Sequence, residues 1–151
     1  MKSHKNNTLN FHNTDYVTKL PLNTIFVFGA NLAGIHGAGA ALVAKQKFGA
    51  VQGLGVGLNG NSYAIPTKDS NIKTLPLIEI QKYIDNFLLF CKNNPDKNFF
   101  LTKIGCGLAG YKEEEICSLF INSKEEYDLY NIIYPSSFKD ILSPTFQYVI
   151  Q

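Results

Sequence analysis

Two glycine-rich turns, each set between a strand-like run and a helix-like run, constrain this chain more than any other feature. The first, Gly29-Ala30-Asn31-Leu32-Ala33-Gly34-Ile35-His36-Gly37-Ala38-Gly39, follows the apolar run Ile25-Phe26-Val27-Phe28. The second, Gly105-Cys106-Gly107-Leu108-Ala109-Gly110, follows Phe99-Phe100-Leu101-Thr102-Lys103-Ile104. Such a turn lets bare backbone N–H groups approach an anion, and the helix behind it turns its positive dipole end the same way. Two of them in 151 residues suit a ligand with two phosphates better than one with a single phosphate.

The runs around these turns set the fold class. Thr24 to Phe28 and Asn98 to Ile104 read as buried strands, and Ser62 to Pro66 as another, with a short one at Asn131 to Tyr134. Gly37 to Phe48 is dense in alanine and has Gly49 directly after it, the pattern of a helix closed by a glycine. Leu77, Ile80, Ile84, Phe87, Leu88 and Cys91 follow helical spacing behind Pro76, which suits the first helical position, and the helix should stop near Asn93-Asn94-Pro95. Lys112 to Ile121 predicts a further helix, with Glu113, Glu114 and Glu115 in its first turn. Residues 50–61 carry Gly53, Gly55, Gly57 and Gly60 and read as a loop, and the tail from Ser136 to Gln151 is ambiguous. Strand alternating with helix argues for a three-layer α/β/α domain with a mixed sheet. The expected organisation is one domain over residues 1–151, with 1–22 a polar, partly mobile N-terminal segment.

Composition narrows the ligand. A net charge of +2 is too small to signal nucleic-acid binding. All 14 basic residues are lysines, so no guanidinium fork is available to hold a phosphate. Backbone amides, hydroxyls or lysines must do so. The three cysteines, Cys91, Cys106 and Cys117, fit neither a zinc pattern nor a disulfide framework, and reduced thiols in a cytoplasmic protein are the simpler reading. Met1 to Thr8 has no apolar stretch, so no signal peptide is expected, and no apolar run approaches the roughly 18 residues of a membrane span. No cofactor or metal-ligand cluster is expected.

Gly105-x-Gly107-x-x-Gly110 and Gly55-x-Gly57-x-x-Gly60 both match the dinucleotide fingerprint literally. A Rossmann domain also needs an acid at the end of the next strand. Glu125, Glu126 and Asp128 lie before Asn131 instead, and the second match precedes a strand. The Rossmann-type dinucleotide-binding protein is therefore an alternative reading, as is a non-enzymatic interaction module.

The arrangement of strand, Gly-x-Asn-x-x-Gly-x-His-Gly-Ala-Gly and alanine helix resembles the ADP-ribose loop of macrodomains. Ile104-Gly105-Cys106-Gly107-Leu108-Ala109-Gly110-Tyr111 resembles their phosphate loop, and Ser62 to Lys68 their strand ending in a proline. The chain is also similar to an uncharacterised macrodomain-like family common in phages and bacterial genomes, over residues 25–120. The resemblance implies binding of ADP-ribose or a related adenine nucleotide made from NAD, with an ADP-ribosylated macromolecule as a further candidate partner. It leaves open a reader, a sponge or an ADP-ribosyl hydrolase. Two departures stand out. The family places an aspartate ahead of the asparagine-bearing strand, against the adenine amino group, and Asp15 is the only acid upstream here; Ile35-His36 also interrupts the glycine loop.

The expected ligand-binding set is Gly29, Ala30, Asn31, Gly34, His36, Gly37, Ala38 and Gly39 from the first turn. From the second it is Ile104, Gly105, Cys106, Gly107, Leu108, Ala109, Gly110 and Tyr111. Amides around Gly37 to Gly39 would hold one phosphate and those around Gly107 to Gly110 the other. By resemblance, Asn31 would bond the distal ribose and Tyr111 would pack on it; the plainer readings are a turn residue and a helix anchor. His36, flanked by glycines, is expected to be exposed near the site, as a phosphate contact, a solvated turn or a general acid–base. Cys106 reads as a small packed thiol or, at a helix start, a nucleophile. Lys68 and Asp69 would act at the ADP-ribosyl C1″ in some macrodomain-like hydrolases, or simply form a solvated loop. Asn31, His36, Lys68 and Asp69 are the catalytic candidates.

Overall fold

The computed structural model describes residues 9–143. Its centre is strand β2, Thr24–Asn31, buried along nearly its whole length. Successive side chains of a strand point to opposite faces. Ile25 and Val27 therefore enter one apolar cluster, and Phe26, Phe28 and Ala30 enter the other. The strand runs past Phe28, where the sequence pattern ended it, because Gly29, Ala30 and Asn31 pair with residues 65–68 of β4, Ser62–Lys68. A ladder position in the sheet interior overrides the weak strand propensity of Gly, Ala and Asn.

Six strands form one sheet. The others are β1, Asn10–His12; β3, Gly57–Asn59; β5, Asn98–Leu101; and β6, Ile132–Pro135. The order is β1-β6-β5-β2-β4-β3, parallel throughout except for the antiparallel edge strand β3. Helix α1, Gly39–Lys47, covers the Phe26/Phe28 face with Ala44 and the adjoining Phe48. Helices α2, Leu77–Lys92, and α3, Glu113–Ile121, cover the opposite face with Ile80, Ile84, Phe87, Leu88, Ile116 and Phe120. The result is a three-layer α/β fold with a mixed sheet.

The remaining differences from the sequence pattern have local causes. β5 ends at Leu101 rather than Ile104: Thr102 N–H makes the last bond to β2, on the Val27 carbonyl (3.1 Å), and the Thr102 hydroxyl donates to the same carbonyl (2.8 Å). The glycine-rich 50–61 segment contains β3, anchored by Asn61 N–H on the Phe48 carbonyl (2.9 Å). Pro76 is the N-cap of α2 rather than its first helical residue. The tail continues as a 3-10 turn, Ser136–Phe138, and helix α4, Lys139–Leu142, while residues 144–151 lie outside the described residues. Of the N-terminal segment expected to be partly mobile, residues 1–8 lie outside the description, and Asn10–His12 form β1 beside β6.

Candidate functional site

β2 and β5 are parallel neighbours whose exits diverge. β2 leads to α1 on one face and β5 leads to α3 on the other. Divergence at the carboxyl ends of adjacent strands opens a crevice, the usual place for a ligand in an α/β sheet. Here it is a cavity of about 740 Å³, within the range of small-molecule sites. Both glycine turns line it, through Gly37 to Gly39 and through Gly105 and Gly107 to Ala109.

The first turn is braced from below. The Asn31 side chain spans it, its amide donating to the Ile35 carbonyl (2.8 Å) and its oxygen accepting from Ile35 N–H (3.0 Å). Gly53 N–H donates to the Gly34 carbonyl (2.8 Å). A Cβ on Gly34 would stand 2.3 Å from the Leu54 nitrogen, and one on Gly55 would stand 2.1 Å from the Asn31 carbonyl oxygen. Those glycines let two backbone segments touch; Gly34 does not line the cavity. Gly37 differs, since a Cβ there would meet nothing within 4 Å. The following helix begins at Ala38, an extended N-cap with no side-chain hydrogen bond. Alanine is a poor cap. The amides of Gly37, Ala38 and Gly39 take no partner among the described residues, and these residues face the cavity.

His36 is not the exposed group expected from its glycine neighbours. It is fully buried, edge-on to Phe28, with Nε2 shared between the carbonyls of Val51 (3.2 Å) and Leu54 (3.1 Å). Its own amide donates to the Gln52 side chain (3.2 Å). The imidazole pegs the turn to the 51–54 segment and is absent from the cavity wall. With its ring buried off the cavity wall and Nδ1 without a hydrogen-bond partner, it does not contact a ligand held there.

The second turn closes on itself. Cys106 N–H donates to Lys103, Gly110 N–H to Gly107 and Tyr111 N–H to Gly105, all through carbonyls (3.2, 3.0 and 2.9 Å). The amides of Gly107, Leu108 and Ala109 take no partner among the described residues. Cys106 and Gly110 do not line the cavity. The Cys106 thiol points to the Ile104 carbonyl (3.4 Å), and burial, then the Glu113 carboxylate, pushes it up to about 11. It is a packed, protonated thiol. Tyr111 is likewise turned away: its hydroxyl donates to the Leu75 carbonyl (2.6 Å) and its ring packs on the core. It does not line the cavity.

The Lys68/Asp69 pair is split. Lys68 lines the cavity and forms no ion pair among the described residues. The Asp69 carboxylate accepts from the amides of Asn71 (2.8 Å) and Lys73 (3.0 Å), holding the turn behind β4. The other lysine on the wall, Lys103, stands 3.8 Å from Glu113.

A further wall was marked in the sequence by Asp15 alone. His12 and the strap from Thr14 to Val17 line the cavity. His12 secures this strap. Its ring stacks on Phe100 (3.8 Å), Nε2–H donates to the Leu101 carbonyl (2.7 Å), and Nδ1 accepts from Thr14 N–H (3.3 Å). Burial lowers its pKa below the ordinary histidine range, so it stays neutral at pH 7. The floor beside the strap is apolar, with Phe26, Phe100 and Val43.

No family model matches this chain, and no curated protein matches it. Among solved structures, a protein of unknown function from Bacteroides thetaiotaomicron is similar in fold, with a TM-score of 0.55 at 14% identity, covering 85% of this chain and 97% of that one. That likeness concerns the fold alone. No described helix is long and apolar enough to cross a membrane, and no cluster of three or more His, Cys, Asp or Glu that could hold a metal ion occurs among the described residues.

Proposed function

We propose that this cavity binds ADP-ribose or a related nucleotide derived from NAD, as a reader or sponge rather than a hydrolase. One observation carries the reading. Two turns far apart in sequence line the same cavity, and the amides of Gly37–Gly39 and Gly107–Ala109 take no partner among the described residues. Amides of this kind, one set at an uncapped helix start, match the charge and reach of a diphosphate. Lys68 adds a cation with no ionic partner among the described residues. The apolar lining of Phe26, Phe100 and Val43, with Asp15 on the same cavity, suits a base carrying an exocyclic amine. Asn31 lines the cavity and retains one N–H and one lone pair beyond its bonds to Ile35, enough to meet a ribose hydroxyl.

Binding is favoured over hydrolysis by the fate of the catalytic candidates. His36 is buried, Asp69 is tied to its turn, and the Asn31 amide, bonded to Ile35, carries no titratable proton; Cys106, the possible nucleophile, is protonated. That leaves Lys68 without an acid–base partner among them. The test is a thermal-shift and calorimetry panel of ADP-ribose, ADP, NAD and cyclic ADP-ribose. A bound nucleotide at 100 times its Kd should add about 2.7 kcal/mol of stability. The ligand should be recovered intact after denaturation. Absence of any heat at millimolar nucleotide would remove the reading; release of ADP-ribose from a modified substrate, abolished by Lys68→Ala, would move it to hydrolysis.

A further inference from the structure

Ile72 has φ of +64°, in the left-handed region. A β-branched residue there is a steric outlier, since Cβ crowds the backbone carbonyl. Such conformations persist only where the surroundings enforce them. The enforcement is visible. Asp69 accepts from the amides of Asn71 and Lys73 through its carboxylate and from Ile72 N–H through its carbonyl (3.1 Å), while Asp69 N–H donates to the Lys73 carbonyl (2.7 Å). The turn is also stitched to the second glycine loop, because the Thr74 hydroxyl donates to the Ala109 carbonyl (3.0 Å). Leu108, beside Ala109, is 79% exposed, and Ile72 is 44% exposed. Both line the cavity.

Two apolar side chains standing in water on adjoining, tied loops, one of them in a disfavoured conformation, do nothing for the core. Residues 12–17 follow β1 and Ile72 follows β4, and the strand order puts these strands on opposite sides of the β5–β2 pair. Ile72 therefore borders the end of the cavity away from the Asp15 strap. We infer that Ile72 is a specificity-determining clamp: with Leu108 it covers the C–H face of the sugar beyond the second phosphate, so that the site selects a nucleoside diphosphate extended by a distal sugar over the bare diphosphate. The inference rests on the nucleotide reading above.

Calorimetry on the full chain tests it, with wild type, Ile72→Ala and Ile72→Gly each titrated with ADP-ribose and with ADP. Ile72→Ala should weaken ADP-ribose about tenfold and ADP less than about twofold. Ile72→Gly should lose the same selectivity while its ligand-free melting midpoint stays at or above wild type, by about 2 °C where the strain is fully relaxed. Equal weakening of both nucleotides, or of neither, overturns the clamp. So does a lower midpoint for Ile72→Gly, which would make the side chain a structural prop. If wild type binds neither nucleotide, the nucleotide reading falls and takes the clamp with it. If wild type binds ADP-ribose and the variants match it, the clamp alone falls.

Discussion

The two glycine turns look alike in sequence and are built differently. The first runs straight into α1, whose N-cap is Ala38 and whose first turn holds no acid. Residues 37–41, at the start of that helix, line the cavity, and the amides of Gly37, Ala38 and Gly39 take no partner among the described residues. The second is followed by Glu113, Glu114 and Glu115, and the Glu115 carboxylate accepts from Lys112 N–H (2.9 Å). That helix end is satisfied by its own acids, and the cavity wall stops at Ala109. The first turn thus brings a helix terminus as well as a loop to the cavity, and the second brings a loop alone. Support differs too. The first turn is pegged to residues 51–55 through His36 and the Gly34/Gly55 contact, whereas the second is closed by backbone hydrogen bonds within residues 103–111 and tied to residues 74–75 through the Thr74 and Tyr111 hydroxyls.

The largest expected effect separates bracing glycines from facing ones. Gly34→Ala and Gly55→Ala should each cost roughly 3 kcal/mol or more in urea denaturation, because backbone atoms must move apart. Gly37→Ala should stay within about 0.5 kcal/mol. A stable Gly55→Ala would show that the first turn stands without its brace. The next test puts a branched side chain into the cavity from each turn. Gly37→Val should weaken ADP-ribose about 100-fold and Gly107→Val about tenfold, since only the first also blocks a helix dipole. Equal losses would break the distinction.

His36→Ala should destabilise by about 2 kcal/mol, read from the denaturation midpoint, as the Val51 and Leu54 carbonyls lose their buried donor. The second turn has a chemical signature instead. A thiol raised to about 11 holds its proton more firmly folded than unfolded. Its contribution to stability is complete below the ordinary thiol value of about 8.5 and is lost as pH rises through that of the folded state. Alkylation of Cys106 at pH 8, followed by mass spectrometry, should run roughly 100-fold slower than for a free thiol. Rapid labelling would show a thiolate in the turn. The smallest effect belongs to Glu113→Gln. Releasing Lys103 should tighten ADP-ribose about twofold, a gain that added salt removes.

Several elements were legible because their signals are local. The 3.6 period of Ile80, Ile84, Phe87, Leu88 and Cys91 marks α2, and the apolar runs mark β2, β4 and β5. The facing glycines were legible for the same reason, since a turn with bare amides is written in adjacent residues. The strap was not. β1 is three residues long and pairs with residues 133–135, so nothing nearby in sequence announces it. Nor was His36, whose glycine neighbours suggest exposure while carbonyls at 51 and 54 take its ring.

By itself, the amino-acid sequence determined the central strands β2, β4 and β5, the helices α1, α2 and α3, and the two glycine turns between them. Only the tertiary structure decided which side chains meet the cavity. Tyr111 turns inward to the Leu75 carbonyl, Asp69 folds onto its own turn, and Asp15 arrives from the far edge of the sheet. Backbone propensity acts over a few neighbouring residues, whereas a polar side chain goes to whichever partner the packed fold brings within hydrogen-bonding distance.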